Sequence, residues 1–372
     1  MSIFPVETSD ALHARVQTFI RSSLDGSLAE PFDLLACDIA RYQASRNAGI
    51  DRLALARGVD LARLDQADAI PAIPTEVFKL RRVACHDPTM DEFVFRTSGT
   101  TVGSRGQHPF RSTSTYRAAA RAWAHTMLLP DIKRARVAIL APDFATTSDS
   151  SLSFMLRDLA SFLNAEPCWL VHDGVLVVDA LYQLVDLAVR DGLPVLLAGA
   201  SFAFVHLLDV LRGHCLELPE GSRIMQTGGF KGRVKEVEPA QLRADIARTL
   251  GVETTRIVGE YGMTELGSQA YEGVLRAALG LPGFTGPFGV YFPPAWMRVS
   301  AVDPVSLAPL PKGQVGIARI VDLANVDSAV AVQTADRIRV LDHGFELLGR
   351  LPGATPRGCS IGIDEVLGES SR

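Results

Sequence analysis

Hydroxyl side chains, glycines and an arginine follow a short apolar strand near residue 95. The segment reads Phe95-Arg-Thr97-Ser98-Gly99-Thr100-Thr101-Val102-Gly103-Ser104-Arg105-Gly106. Glycines allow backbone amides to approach a phosphate, hydroxyls donate hydrogen bonds and arginine supplies positive charge. The chain has neither a Walker loop nor a G-x-G dinucleotide fingerprint. The composition therefore predicts a polyphosphate-binding loop of another kind, with a flexible surface loop as the alternative.

A second segment combines an aromatic ring, a hydroxyl and a carboxylate within five residues. It reads Glu260-Tyr261-Gly262-Met263-Thr264-Glu265-Leu266-Gly267-Ser268 and follows the short apolar run Ile257-Val258. Ligands of open α/β sheets bind at the carboxyl ends of the strands. At such a position the segment offers an aromatic ring for stacking, a hydroxyl that can donate a hydrogen bond to phosphate, and a carboxylate ligand for magnesium. An ordinary strand-to-helix turn is the alternative.

The elements that must position these segments alternate along the chain. Helical faces at 9–25 and 32–46 predict a helical lead-in over residues 1–90. Four pairs of a short apolar run and an amphipathic segment then predict an α/β core over 91–279 with a mostly parallel, helix-covered sheet; the first run is Arg136–Leu140 and the last amphipathic segment is Pro239–Leu250. After about residue 280 helix signals vanish, and Pro- and Gly-rich turns predict a small antiparallel β region over 280–372.

Composition narrows the class of protein. The 372 residues are 47% hydrophobic and 21% charged with a net charge of −5, which excludes disorder and gives no general attraction to nucleic acid. The longest apolar stretch, 193–205, is too short to span a membrane. The start of the chain lacks the basic residues of a signal peptide, so we expect a cytoplasmic protein. Five cysteines without a C-x-x-C pair indicate that a functional cysteine acts singly.

In their order, the two segments resemble the phosphate loop and the Y-G-x-T-E motif of the adenylate-forming (ANL) superfamily. Later motifs follow in the superfamily's usual sequence: Lys312-Gly-Gln-Val-Gly316, Thr334-Ala335-Asp336 and Gly349-Arg350. Further segments are similar to the acyl-protein synthetase (LuxE-type) branch: Ile70–Lys79, Thr227-Gly228-Gly229-Phe230-Lys231-Gly232-Arg233, Glu260–Gln269 and Arg357-Gly-Cys359-Ser360. The resemblance extends over roughly residues 70 to 365 and implies the superfamily's α/β body.

The resemblance implies ATP and Mg²⁺ as cofactors and a carboxylic acid as substrate. Residues implied to hold the β- and γ-phosphates are Thr97, Ser98, Thr100, Thr101, the amides of Gly99 and Gly103, and Arg105. Thr264 would bond the α-phosphate and Glu265 would hold Mg²⁺. Residues implied to surround the nucleoside and the acyl carbonyl are Tyr261 against adenine with Gly262 and Met263 of its motif, Gly228 and Gly229, Asp336 at the ribose, and Arg350 at ribose or phosphate.

The sequence departs from the superfamily pattern in the loop and at the end of the chain. Val102, Ser104 and Arg105 replace a glycine, a proline and a lysine of the usual loop. Twenty-two residues follow Arg350, so we expect the mobile C-terminal domain with its essential lysine to be absent. Lys231 is our sequence-based candidate for the replacing cation. Because that domain also builds the usual CoA tunnel, a CoA product is less expected.

In the LuxE-type branch a cysteine near the C-terminus accepts the acyl group as a thioester, and Cys359 matches that position. The prediction is therefore an ATP-dependent acid–thiol ligase that forms acyl-AMP, acylates Cys359 and passes the acyl group to a protein, a carrier thiol or another nucleophile. Two alternatives remain open. The protein is an acyl- or aryl-CoA synthetase, or a catalytically inactive nucleotide-binding subunit.

Two further residues have interpretations outside these motifs. Ser201 lies in Gly199-Ala-Ser201-Phe-Ala203, which imitates a hydrolase nucleophile elbow without its final glycine, and we expect a helix cap. His108 follows the predicted phosphate loop. It is either a contact for a phosphate or the acyl carboxylate, or a half-exposed loop residue.

Overall fold

The computed structural model describes residues 7–97, 105–228, 237–284, 286–351 and 357–368. The chain forms two compact units, each assembled from segments that are not consecutive. The first unit consists of Met1–Ala122, Met263–Gln269 and Pro293–Arg372, and the second of Trp123–Gly262 and Ala270–Phe292.

The elements are numbered in chain order. The helices are α1 Ser9–Leu24, α2 Phe32–Arg46, α3 Ala48–Ala56, α4 Val77–Leu80, α5 Ser114–Met127, α6 Ser151–Phe162, α7 Val178–Asp191, α8 Ser201–Leu211, α9 Pro239–Leu250, α10 Val274–Ala278 and α11 Arg357–Leu367. The strands are β1 Ile73–Pro74, β2 Phe93–Arg96, β3 Gln107–Phe110, β4 Arg136–Pro142, β5 Pro167–His172, β6 Val175–Leu176, β7 Val195–Ala200, β8 Arg223–Thr227, β9 Ile257–Tyr261, β10 Ala270–Glu272, β11 Val290–Phe292, β12 Met297–Val302, β13 Val315–Asp322, β14 Ala331–Val340 and β15 Phe345–Arg350.

The second unit contains the mostly parallel sheet. Its strand order is β6-β5-β4-β7-β8-β9-β10-β11, with β5, β4, β7, β8 and β9 parallel and β6, β10 and β11 antiparallel to their neighbours. Helices cover the sheet, so its inner strands are apolar on both faces. In β7, for example, Val195 to Ala198 are each 0% exposed. The predicted helix-covered parallel sheet is confirmed.

The first unit contains the antiparallel sheet predicted for the C-terminal region. Strands β12, β13, β14 and β15 pair in chain order, each antiparallel to the next. Strand β1 adds in parallel to β14, with Ile73 opposite Val332. Strands β2 and β3 form a separate hairpin. Strand β14 therefore lies between β13 and β15 and also carries β1, which fixes the chain before α4.

One buried carboxylate joins the N-terminal helices to the rest of the first unit. Asp327 accepts hydrogen bonds from Ser9 at 2.6 Å, Tyr42 at 2.9 Å and Arg111 at 3.2 Å, and His13 lies 2.9 Å away. These contacts and its neighbouring charges hold the pKa of the Asp327 carboxyl well below its usual range, although burial opposes this. The helical lead-in is thus an integral part of the first unit.

The structure differs from the sequence analysis at helix α11, because no helix was predicted after residue 280. Gly358 and Gly362 lower the helix propensity of this segment, and Pro356 precedes it. Gly362 packs closely on β1, since a Cβ built there would lie 3.1 Å from Cγ of Pro74. Among the helices that the structure describes, none combines the length and apolar character needed to cross a membrane.

Candidate active site

The two ends of the predicted phosphate loop meet in the first unit. Thr97 directly follows β2, and Gly106 directly precedes β3. The amide of Thr97 donates to the carbonyl of Gly106 at 2.9 Å, and the amide of Gly106 donates to Oγ1 of Thr97 at 2.9 Å. This pair closes the base of the loop, so the hydroxyl of Thr97 has a structural partner before any phosphate binds.

Arg105 lies at the same base. Its Nε donates to the Thr97 carbonyl at 2.7 Å and its Nη2 to the Arg96 carbonyl at 3.3 Å, while the residue stays exposed. The other residues predicted for the phosphate loop lie outside the described residues: Ser98, Gly99, Thr100, Thr101 and Gly103. Gly229 and Lys231 also lie outside the described residues.

The Thr264-Glu265 turn is held through its backbone by two neighbouring elements. Nδ1 of His108, on β3, lies 2.7 Å from the Thr264 carbonyl, and Nδ2 of Asn325 donates to the Glu265 carbonyl at 2.9 Å. His108 sits two residues after Gly106 in the chain. Strand β3, which follows the phosphate loop, therefore contacts the turn that contains Thr264, the predicted hydrogen-bond donor to phosphate, and Glu265, the predicted metal ligand.

The chain after Glu265 is fixed by a buried aspartate. Asp322 accepts from the Gly267 amide at 2.9 Å and from the Ser268 hydroxyl at 2.7 Å. Burial raises the pKa of the Asp322 carboxyl to about 6. Gly267 permits this close packing, because a Cβ there would lie 2.9 Å from Cβ of Ala324. The motif glycine is thus required by a close approach of two chain segments.

The buried carboxyl group of Glu265 is influenced by charges of both signs. The residue is 6% exposed, and burial raises the pKa of its carboxyl to about 7. Its own backbone amide and the charges of Arg350 and Lys79 act against this rise, whereas the charge of Glu76 adds to it. Within the described residues these cations act on Glu265 by charge, without an ion pair to its carboxylate.

These properties fit a magnesium ligand. A buried carboxylate without an ion pair gains from a bound cation, and Mg²⁺ is commonly held by one or two carboxylates together with substrate phosphates and water. The described part of the chain has no cluster of three or more side chains that would bind a metal without a substrate. Glu265 would therefore hold Mg²⁺ together with a nucleotide.

The two residues predicted to contact the ribose are neighbours in the antiparallel sheet. Asp336 on β14 is paired with Arg350 on β15, and Nε of Arg350 lies 3.1 Å from Oδ1 of Asp336. Asp336 is 9% exposed, whereas the Arg350 side chain is 62% exposed. The backbone of Asp336 is fixed as well, since its amide donates to Oγ1 of Thr334 at 3.0 Å.

The second unit contains Tyr261, Gly262 and Gly228, which were predicted to surround the nucleoside and the acyl carbonyl. Tyr261 ends β9 and is 6% exposed, with its ring 6.2 Å from that of Tyr291. Gly262 follows in the same unit, and Met263 begins the first unit's short segment. Gly228 follows β8 with a φ of +66°, a conformation that favours glycine. Thr227 donates a hydrogen bond to Glu260, and burial raises the pKa of the Glu260 carboxyl to about 7.

Two sequence-based interpretations are wrong. Ser201 is not a helix cap: it is the first residue of α8, and its hydroxyl donates to the Gly228 carbonyl at 2.7 Å. His108 is neither a ligand contact nor a half-exposed loop residue. It is 1% exposed on β3, and its Nε2 lies 2.7 Å from Oγ of Ser328. Because Asn325 and Asp322 match no local motif, sequence reasoning missed them, and it missed the supporting role of His108.

Comparison with known folds assigns the class of protein. A crystal structure of an open conformation of 2-hydroxyisobutyryl-CoA ligase, in complex with 2-HIB-AMP and CoA, matches with a TM-score of 0.61 and 13% identity over 94% of this chain and 76% of that chain. The same ligase in its thioesterification state matches with a TM-score of 0.60 and 14% identity over 94% and 68%. The fold is that of the adenylate-forming enzymes.

The family is narrower than the fold. The model of the family described as acyl-protein synthetase, LuxE, matches residues 56–368, so the chain belongs to this family. No curated protein matches the chain. Family and fold together support an ATP-dependent, adenylate-forming ligase that activates an acyl group.

Proposed function

We propose that this protein couples a carboxylic acid to AMP, transfers the acyl group to Cys359 as a thioester, and passes it on to a partner nucleophile. The observation that carries the proposal is the contact between His108 and the Thr264 carbonyl. It joins the base of the phosphate loop to the turn with Glu265 inside one compact unit. Two motifs linked by a contact across 156 positions of the chain would thereby form one framework for a polyphosphate and its metal ion.

In the first step, a carboxylate oxygen attacks the α-phosphorus of ATP. An oxygen–phosphorus bond forms to give acyl-AMP, and the bond to the bridging oxygen breaks so that pyrophosphate leaves with the electron pair. Two anions must meet, so the main requirements are alignment and neutralisation of charge. When bound, Mg²⁺ supplies positive charge to the phosphates, and Glu265 is the residue we assign to hold it.

The nucleotide would be held by the residues of the superfamily motifs. Residues of the loop from Thr97 to Arg105 would bind the β- and γ-phosphates, and Thr264 would bond the α-phosphate. Asp336 would accept the ribose hydroxyls. Its present partner Arg350 lies 3.1 Å away on the adjacent strand, and because it is largely exposed it is free to reorient toward a phosphate. Tyr261 would contact adenine.

In the second step, the thiolate of Cys359 attacks the acyl carbonyl and AMP leaves. A third step regenerates the thiolate when an acceptor thiol or amine takes the acyl group. Cys359 is the third residue of α11. The acceptor we propose is a protein or carrier thiol, in line with the family's description.

Intact-protein mass tests the thioester. After incubation with ATP, Mg²⁺ and a panel of straight-chain and aromatic acids, the wild type is expected to gain the mass of one acyl group, and neutral hydroxylamine should remove it. Cys359→Ala should lose the adduct but keep acid-dependent pyrophosphate exchange. Cys215→Ala is the matched control, because Cys215 is an exposed free thiol. Exchange without an adduct, or an adduct at Cys215, would remove the thioester step.

A further inference from the structure

Helix α4 brings a lysine into the framework of the candidate site. The residues before α4 are fixed by β1, and the Thr75 amide donates to the Gln333 carbonyl at 3.0 Å. Gln333 is on β14, the strand that also carries Asp336. The position of α4 is therefore set by the same strand that carries the predicted ribose ligand.

The packing of α4 determines which side chain is directed outward. Val77 and Phe78 are buried at 0% and 1% exposure, and the Phe78 ring lies 5.6 Å from the His108 ring. The following residue, Lys79, is exposed. The apolar pair anchors the helix against the residue that holds the Thr264 carbonyl, and Lys79 is left on the solvent side of this anchor.

The stem of Lys79 lies against the base of the phosphate loop. A Cβ built on Gly106 would be 3.4 Å from Cγ of Lys79 and 3.0 Å from Cγ2 of Thr97. Gly106 and Thr97 are the two residues whose mutual hydrogen bonds close the loop. The stem of Lys79 therefore borders both described ends of the loop, Thr97 and Gly106.

Charge points in the same direction. Lys79 directly follows Phe78, whose ring packs on His108, and His108 contacts the carbonyl of Thr264, the residue before Glu265. A triphosphate with one Mg²⁺ remains an anion, so a cation beside the metal carboxylate favours its binding and its cleavage.

We infer that Lys79 is a catalytic cation of the adenylation step, whose ammonium group contacts the polyphosphate of ATP and neutralises charge on the departing pyrophosphate. This inference rests on the proposed function. Lys79 transfers no proton in this step: the acid oxygen forms the new bond to the α-phosphorus, and pyrophosphate leaves with the electron pair of the broken bond. Lys231, the candidate from sequence, lies outside the described residues and is tested beside it.

The sequence makes a complete lysine test feasible, since its lysines are Lys79, Lys133, Lys231, Lys235 and Lys312. Lys79→Met should reduce acid-dependent pyrophosphate exchange by about 100-fold, the usual effect of removing one charge-stabilising group, and Lys79→Arg should restore part of it. Lys133→Met, an exposed lysine of the second unit, is the matched control. Exchange in Lys79→Met within about twofold of wild type would overturn the inference.

A labelling experiment reads the contact without activity. An ATP analogue that ends in a pyridoxal aldehyde forms an imine with a lysine at the phosphate end, and borohydride fixes it for peptide mapping. We expect the label on Lys79 and protection by ATP with Mg²⁺. A label confined to Lys231 or another lysine would overturn the contact. If the wild type is labelled at Lys79 but none of the carboxylic acids supports pyrophosphate exchange, the proposed function is contradicted. The contact between Lys79 and the phosphate end of the nucleotide would still stand.

Discussion

His108 is the residue on which the local geometry of the candidate site depends. A carbonyl only accepts hydrogen bonds, so the 2.7 Å contact with the Thr264 carbonyl places the proton on Nδ1. Nε2 then accepts from the Ser328 hydroxyl at 2.7 Å. Burial lowers the pKa of His108 to about 4. The imidazole is therefore neutral near pH 7 and acts as a positioning residue.

This state of His108 predicts a pH dependence of stability. In the unfolded chain histidine takes up a proton below about pH 6.5, whereas the folded protein resists protonation down to about pH 4. The wild type should therefore lose about 2 kcal/mol of unfolding free energy between pH 7.5 and pH 5 through this group. His108→Gln should lack that loss, as measured by urea unfolding at both pH values.

The comparison of the two proteins isolates the histidine. Buried carboxyls with raised pKa values, such as Glu260 and Asp322, contribute with the opposite sign between the unfolded and folded pKa values and are present in both proteins. An equal pH dependence in wild type and His108→Gln would contradict the neutral, buried imidazole.

Sequence reasoning predicted candidate ligand-binding residues from the motifs but not the residues that support them. His108 contacts Thr264 across 156 positions of the chain and Ser328 across 220. Local composition reports which residues suit a phosphate or a metal, and it carries no information about partners at such separations. A histidine two residues after a phosphate loop therefore suggested a ligand contact, whereas tertiary packing made it a buried support.

At the scale of elements, the sheet strands and their helices were predictable. The predicted run Arg136–Leu140 falls within β4, and the predicted segment Pro239–Leu250 coincides with α9. Parallel strands that are buried on both faces are continuous apolar runs, and amphipathic helices show a period of 3.6 residues, so both patterns are local. Helix α11 was not predicted because Gly358 and Gly362 lower its helix propensity.

The docking of α11 yields a prediction at this scale. Arg52 on α3 donates to the Val366 carbonyl from Nε at 3.1 Å and from Nη2 at 2.5 Å, and Nε of Arg57 lies 2.7 Å from Oε2 of Glu365. Arg52→Ala should increase amide hydrogen exchange of 357–368 about tenfold, because a charged hydrogen bond contributes at least about 1.5 kcal/mol. Mass spectrometry of peptides from α11 measures it.

Arg63→Ala is the control for this experiment, since Arg63 is exposed and pairs with Asp60. Arg52 is outside the nucleotide residues assigned above, so pyrophosphate exchange should be unchanged in Arg52→Ala. Unchanged hydrogen exchange in α11 would show that Arg52 does not hold this helix in place.

At the scale of the whole molecule, the compact units are assembled from interrupted segments. The first unit takes in Met263–Gln269, a short piece of chain between two parts of the second unit. This piece contains Thr264, the predicted hydrogen-bond donor to phosphate, and Glu265, the predicted metal ligand. Both therefore belong to the unit that also contains the base of the phosphate loop. Patterns read along the chain predicted consecutive regions, and such patterns do not reveal that a short segment packs with a distant one.

Family and fold support an ATP-dependent acyl ligase, and Glu265 is the residue that we propose to hold its magnesium ion. Glu265→Gln keeps the shape of a buried side chain and removes its charge. We expect it to keep the wild-type melting temperature and to lose metal binding at the nucleotide. Glu253→Gln, at an exposed carboxylate, is the matched control.

The most direct test is ATP–pyrophosphate exchange with Mg²⁺ and a panel of carboxylic acids. The account predicts exchange that depends on an acid in wild type and Glu253→Gln, and a loss of about 100-fold or more in Glu265→Gln. If the wild type binds ATP but exchanges no pyrophosphate with any acid, or if Glu265→Gln exchanges at the wild-type rate, the account is contradicted.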